Sequence, residues 1–282
     1  MGFALTDRDP KAWRFLGVSP WGVLRTGLGR LLFVPSGGPD LGRSRRVRLL
    51  CLVAARNEMR FLPGLFANLA PHVDGVVALD DGSDDGSAEF LATQPSVLEL
   101  IRRAPDRPSW DEVGNFRSLH AAALRHGAEW ILWMDADQRL ERDFRSRAER
   151  VIRRGARLGL IAYALRLREL WDSPDTFRAD GLWSRKHQVL LFRALPGHLF
   201  DTRPVHGSRG PLQGRMLGVF PRTDLTVYHL RMIRPDDRAA RRDRYLALDP
   251  EGRFQPGVGY HYLTDEGGLK LVRVPRTRGF AE

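Results

Sequence analysis

The run Trp130-Ile131-Leu132-Trp133-Met134 is bulky and apolar throughout, and it ends abruptly at Asp135-Ala136-Asp137. A short continuous apolar run bounded by polar residues suits a strand buried on both faces. Side chains alternate along a strand, so the i, i+2 carboxylates Asp135 and Asp137 are predicted to face one side at its carboxyl end. That edge is where open α/β sheets bind ligands. Two close carboxylates repel each other unless a cation lies near them, and hard oxygen donors suit Mg²⁺ or Mn²⁺. Taken alone, so short a pattern fits a solvated acidic turn better than a site.

Two further apolar runs end the same way. Val76-Val77-Ala78-Leu79 leads into Asp80-Asp81-Gly82-Ser83-Asp84-Asp85-Gly86-Ser87, where Ser87 is placed to cap a following helix. Leu49 to Ala55 stops at Arg56-Asn57-Glu58, before a helical pattern of Phe61, Leu62, Leu65, Phe66 and Leu69. Strands with polar carboxyl ends, each followed by helix-like sequence, describe one crevice of a parallel sheet. Their combination favours a site over mere solubility.

Length and composition narrow the class. A chain of 282 residues with 43% apolar content holds one large α/β domain, or a domain with an appendage. Cys51, the only cysteine, excludes an intrachain disulfide and Cys/His zinc motifs, and a reducing, cytoplasmic setting fits it. The net charge of +11 favours polyanionic partners: nucleic acid, anionic lipid or a phosphorylated substrate. The basic residues are nearly all arginine, with Lys11, Lys186 and Lys270 the exceptions. No apolar stretch approaches the roughly 20 residues of a spanning helix, and no signal peptide is expected at the opening.

Three segments are expected. Residues 1–46 read as an N-terminal extension mixing aromatic, aliphatic and basic residues, suited to an anionic membrane surface or to the domain's own face. The core domain spans 47–235, with strands at 47–55, 75–80, 97–103 and 130–135 and helices at 58–70, 86–93, 111–127 and 141–154. The alternation stops near residue 160, and 160–167, 187–192 and 225–230 read as strands of a mixed region. Residues 236–282 read as the rest of a basic helix that opens at Arg234, then a loop-rich tail.

In their order and spacing, these motifs resemble the family 2 glycosyltransferases, which have the Rossmann-like GT-A fold. Ala54-Ala55-Arg56-Asn57-Glu58 is similar to the family's first-strand "PTYNE"-like end, 80–87 to its "DDGSxDGT", and 130–137 to its "WILxLDAD". Residues 181–186 and 191–193 resemble a bacterial branch near the sugar transferases of cell-surface polysaccharide synthesis. The resemblance covers roughly 47–235. It implies a hexosyltransferase that moves a sugar from a nucleotide-diphosphate donor to a glycan or lipid-linked acceptor, usually with inversion, using Mn²⁺ or Mg²⁺.

The resemblance also implies roles. Asp137 coordinates the metal, and Asp135 contacts the ribose or the metal shell. Asp81 bonds the base and Asp80 supports its loop, while Ala54, Arg56 and Glu58 line the nucleoside pocket. Arg56 departs from the aromatic residue common there, so a guanidinium stacks on the base instead. Arg117 is the candidate for the diphosphate, and its alternative is a solvated helix face. His229 is the candidate further metal ligand, against a core histidine, and His206 and His187 read as structural. An inverting enzyme needs a general base. The match is poor here, leaving Asp201, Asp172 and Asp180, with Asp201 favoured for its place close before His206. Trp110, Trp171 and Trp183 suit sugar stacking or packing.

Three other classes compete. A phosphoryl- or nucleotidyl-transferring enzyme would also use paired carboxylates, but the GxxxxGK[ST] loop and the kinase motif set are missing. A nucleic-acid-binding protein rests on charge alone. A pseudo-enzyme that binds nucleotide sugar without turnover follows from the unclear base.

Overall fold

The computed structural model describes residues 33–37, 46–105, 111–202, 207–216, 218–255 and 259–281. Most of the expected N-terminal extension, Trp110 and His206 lie outside the described residues.

The first half is built as expected. Strand β2 (Leu49–Ala55) pairs in parallel with β3 (Gly75–Asp80) and β5 (Trp130–Met134), and β3 pairs in parallel with β4 (Val97–Arg102). The connections are helices α1 (Leu62–Leu69), α2 (Ser87–Thr93) and α3 (Glu112–Arg125). The apolar runs of β2, β3 and β5 are buried because helices cover the sheet faces. Asp111 caps α3, its carboxylate accepting from the Gly114 amide at 2.8 Å.

The second half is mixed. After α4 (Phe144–Ala156) come β7 (Ala162–Trp171), β8 (Ser173–Arg178), β9 (His187–Arg193) and β10 (Arg222–His229). Strand β9 runs antiparallel between β5 and β7, while β10 lies parallel to β7. With β1 (Phe33–Val34) at the edge, the order is β1-β10-β7-β9-β5-β2-β3-β4. The protein is therefore an α/β fold with a mostly parallel central sheet and a mixed C-terminal part.

Short pairings escaped the sequence patterns. Strand β6 (Gln138–Leu140) pairs antiparallel with β10, setting Gln138 opposite His229. Strand β11 (Leu271–Arg273) pairs antiparallel with β8. Three-residue strands carry too few alternations to register as a period.

Residues beyond 235 pack back onto the domain. Helix α5 (Pro235–Leu248) starts on Pro235 with Asp236 and Asp237 in its first turn, where proline and acidic residues suit the exposed amides. Further on, Tyr228 Oη donates to the Arg278 carbonyl at 2.9 Å, and Asn68 Nδ2 to that of Ala281 at 3.1 Å. Trp171, Trp183, Met232, Tyr260 and Leu263 form a second, smaller core. Trp171 and Trp183 are buried there, so they pack the domain and present no face to a sugar. The Arg238 guanidinium lies 4.1 Å from the Trp171 ring centroid.

Candidate active site at the carboxyl edge of the sheet

The ends of β2 and β3 are stitched together. The Asp81 amide donates to the Ala55 carbonyl at 2.9 Å, continuing the strand pairing one step past β3. The Asn57 amide donates to Ser83 Oγ at 3.0 Å, and the Asp84 amide to Asn57 Oδ1 at 3.0 Å. Asp85 accepts from the Met59 amide at 2.9 Å. Ser87 was expected to cap α2, but Gly86 holds the cap position and Ser87 Oγ accepts instead from the Glu58 amide at 2.9 Å.

Backbone conformation explains the glycines. Gly82 has φ +79°, and a Cβ there would lie 2.6 Å from Pro105 Cα. Gly86 has φ +90° in open space. Both angles belong to the left-handed region that costs other residues free energy. Above this loop, Asp80 Oδ2 accepts from the amides of Gly82 and Ser83, each at 3.1 Å. These two bonds fix the start of the loop. Asp81 is wholly buried beside it. Ala54 and Arg56 are half-buried at the end of β2.

The two carboxylates of Asp135-Ala136-Asp137 do not behave as one pair. Strand β5 ends at Met134, so both lie in the turn to β6 and the strand alternation does not reach them. Asp135 accepts from Arg209 Nη1 at 2.6 Å, Gln138 Nε2 at 3.2 Å and Trp133 Nε1 at 3.3 Å. Asp137 instead meets His229 and Arg231. The two carboxylates thus face different side-chain cations, Arg209 for Asp135 and Arg231 for Asp137.

Sheet register delivers the partners of Asp137. His229 stands opposite Glu169 of β7 on one side and Gln138 of β6 on the other. Its Nε2 lies 3.1 Å from Asp137 Oδ2, and its Nδ1 bonds Glu169. Glu169 also pairs with Lys186, and Arg241 Nη1 lies 3.3 Å from His229 Nδ1. Arg231, in the turn after β10, donates from Nε to Asp137 at 2.5 Å and from Nη2 to both oxygens of Glu58 at 2.5 and 2.6 Å.

These contacts set the protonation states. Burial alone would raise Asp137, but His229 and Arg231 outweigh it and hold the carboxyl well below its ordinary range. Burial likewise opposes ionisation of Glu169, and His229 with Lys186 overcomes it and lowers the group. His229 is raised, because Asp137 and Glu169 together outweigh the burial that would lower it. Glu58 goes the other way: burial pushes it up to about 7, with Arg231 opposing.

A divalent ion suits part of this set. Among the described residues no group of three or more His, Cys, Asp or Glu side chains is gathered as a ready-made ion cage. Asp137 and His229 converge, however, and Glu169 fixes the imidazole as carboxylates do behind metal-ligating histidines. Mg²⁺ is commonly held by one or two carboxylates, with water and phosphate oxygens completing the shell. Asp137 and His229 fit an ion of that kind; Asp135, turned to Arg209, does not join them.

The remaining candidates fall in different places. Arg117 is exposed on α3, one residue beyond the buried Phe116. Asp201 accepts from the Ser208 amide at 3.2 Å and lines a cleft with Glu112, Phe116, Phe200 and Arg209. Asp180 is clamped by Arg178 through Nε at 3.0 Å and Nη2 at 3.0 Å. Asp172 pairs with Arg238 at 2.8 Å, beside the second core. His187 bonds the Arg185 carbonyl at 2.8 Å and takes no part in the site. Glu169, Lys186, Arg209, Arg231 and Arg241 were given no site role from the sequence: Glu169 and Arg241 sit inside an ordinary strand and helix, Arg209 in a loop, and Lys186 and Arg231 within or beside segments singled out for other reasons.

Among the described residues no helix is long and apolar enough to cross a membrane. No family model matches the sequence. Uncharacterised proteins of Mycobacterium bovis and Mycobacterium tuberculosis are each 29% identical over 224 residues, which is 76% of this chain and 54% of theirs. The chain thus spans about half the length of the curated relatives it matches. Similar solved structures include the mannosyltransferase PcManGT of Pyrobaculum calidifontis in complex with GDP-Man and Mn²⁺, with 16% identity and a TM-score of 0.46 over 90% of this chain and 81% of that one. TarS 1-349 of S. aureus covers 78% of this chain and 73% of its own, with 10% identity and a TM-score of 0.42. A 4-diphosphocytidyl-2C-methyl-D-erythritol synthase has 20% identity and a TM-score of 0.39, over 72% of this chain and 100% of its own.

Proposed function

We propose that this chain is a glycosyltransferase that moves a sugar from a nucleotide-diphosphate donor to a hydroxyl of a glycan or lipid-linked acceptor, with inversion. One observation carries this: the loops after β2, β3 and β5 meet at one sheet edge, with Asp81 buried in one and Asp137 joined to Glu58 through Arg231 in the others.

The site residues divide the work. Asp81 takes the base, and Ala54, Arg56 and Glu58 wall the nucleoside. Asp137 and His229 would hold Mn²⁺ or Mg²⁺, with Glu169 orienting the imidazole. Such an ion supplies Lewis-acid stabilisation of the charge on a departing diphosphate. Lys186, Arg231 and Arg241 add positive charge around Asp137 and Glu169. The exposed Arg117 is a further cation available to the diphosphate.

Asp201 is the favoured base. It lies on the cleft that also holds Arg209, the partner of Asp135. Asp172 and Asp180 are already paired with Arg238 and Arg178, so neither carboxylate is turned to an acceptor hydroxyl. That pairing also favours a second reading, a protein that binds nucleotide sugar without turnover. The +11 charge and the basic N-terminal extension suit an anionic or membrane-associated acceptor met from the cytoplasmic side.

Thermal-shift measurements with UDP, GDP, dTDP and CDP, each with Mn²⁺, Mg²⁺ or EDTA, test the assignment. A metal-dependent rise with one nucleotide supports it and names the base. No rise with any of them overturns it. Release of free sugar from the matching donor then separates turnover from binding alone.

A further inference from the structure

Two cationic groups converge on one oxygen of Asp137. Arg231 Nε donates to Oδ2 at 2.5 Å, and His229 Nε2 lies 3.1 Å from the same atom. The two differ in how they are held. The His229 side chain is 5% exposed and locked by Glu169, whereas Arg231 is 30% exposed at the rim. Arg231 also has a second anchor, since its Nη2 donates to both oxygens of Glu58. It can release Asp137 and remain on Glu58.

Charge balance gives this geometry a consequence. The carboxylates Glu58, Asp137 and Glu169 face Arg231, Lys186, Arg241 and the His229 imidazole, so the cluster carries no net negative charge before any ion enters. A divalent ion arriving alone would have to push Arg231 off Asp137 with no net negative charge to draw it in. An ion arriving on a diphosphate brings that negative charge with it, and the phosphate oxygens offer the freed guanidinium new acceptors.

We infer that Arg231 is a place-holder cation: it occupies the divalent-ion position on Asp137 in the free protein and yields it only to an ion carried by a nucleoside diphosphate. Metal and nucleotide are then linked ligands, each raising the affinity of the other. The inference rests on the transferase assignment, and it concerns the order of binding rather than the reaction.

The experiment measures Mn²⁺ binding through the electron paramagnetic resonance signal of the free ion. It uses the full chain, Arg231→Gln and Glu58→Gln, with folding checked by circular dichroism. Each protein is titrated with Mn²⁺ alone, with UDP and with GDP. The unsubstituted protein should bind Mn²⁺ alone weakly and gain on the order of tenfold or more with the nucleotide it accepts. Arg231→Gln should bind Mn²⁺ alone about tenfold more tightly than the unsubstituted protein and lose most of that gain. Glu58→Gln should bind Mn²⁺ alone more weakly, because Arg231 is left with Asp137 as its only carboxylate.

Equal Mn²⁺ affinity with and without a nucleotide that itself binds the unsubstituted protein overturns the inference, and needs no variant to fold. So does a weaker Mn²⁺ affinity in Arg231→Gln, or a change of the same sign in both variants. If no nucleotide binds under any condition, the transferase assignment fails separately, and the opposite shifts of the two variants with Mn²⁺ alone still decide the role of Arg231.

Discussion

His229 and Glu169 face each other across the parallel pairing of β10 and β7, and the imidazole Nδ1 bonds the Glu169 carboxylate while Nε2 points at Asp137. The side chain of Glu169 is 0% exposed and also holds Lys186. A buried carboxylate between two cationic groups positions both, and neither is free to turn toward solvent.

Replacing Glu169 with Gln should therefore disturb more than one contact. Removing one partner of a buried charged pair costs about 3–5 kcal/mol. We expect a loss of roughly 3 kcal/mol in urea unfolding, and weaker Mn²⁺-dependent nucleotide binding. A stability unchanged from the parent would show that Glu169 does not hold the cluster.

Asp135 and Asp137 should respond differently to substitution, because they hold different partners. Asp137→Asn should abolish the metal-dependent nucleotide shift. Asp135→Asn should act mainly by freeing Arg209, whose Nη1 is 2.6 Å away. Asp135→Asn and Arg209→Gln should then be non-additive, with a coupling of about 1 kcal/mol or more in a double-mutant cycle. Additive effects would separate Arg209 from Asp135.

The two loop glycines offer a graded test. Gly82→Ala meets both a positive φ and backbone 2.6 Å away, whereas Gly86→Ala meets the φ alone. The left-handed conformation costs about 1–2 kcal/mol for an alanine, so Gly86→Ala should lose that much. Gly82→Ala should lose more, and should weaken nucleotide binding as well. Chemical denaturation of both variants checks the order.

Acid should destabilise the fold through its buried histidines. Burial lowers His72, His120 and His187 from 6.5 to about 4 each. A base with a depressed folded pKa stabilises the native state above its unfolded pKa, and that contribution is lost as protons bind the unfolded chain. Their share of stability is thus complete above pH 6.5 and falls away as pH drops toward 4. The urea midpoint should decline across that window, and His120→Asn should shallow the decline. An unchanged slope in that variant would contradict the burial of His120.

Much of the carboxylate side of the site was legible because it is written in local pattern. Leu49–Ala55, Val76–Leu79 and Trp130–Met134 were read as buried strands, and Asp80, Asp81 and Asp137 stand at their ends. Continuous apolar runs report burial on both faces, and a polar break after them reports an edge. The same logic overreached in placing Asp135 and Asp137 on one strand face, because both sit in a turn where strand alternation no longer applies.

The cation side of the site was decided only in three dimensions. His229 was singled out in the sequence, but Glu169, Lys186, Arg231 and Arg241 were not. They come together because β10 lies in register with β7 and β6, across separations of tens of residues that no local period encodes. Local sequence determined which segments are strands and where their polar ends fall, since periodicity and burial are properties of neighbouring residues. Which charge faces which was left to the pairing of distant strands, since that depends on register and packing across the whole sheet.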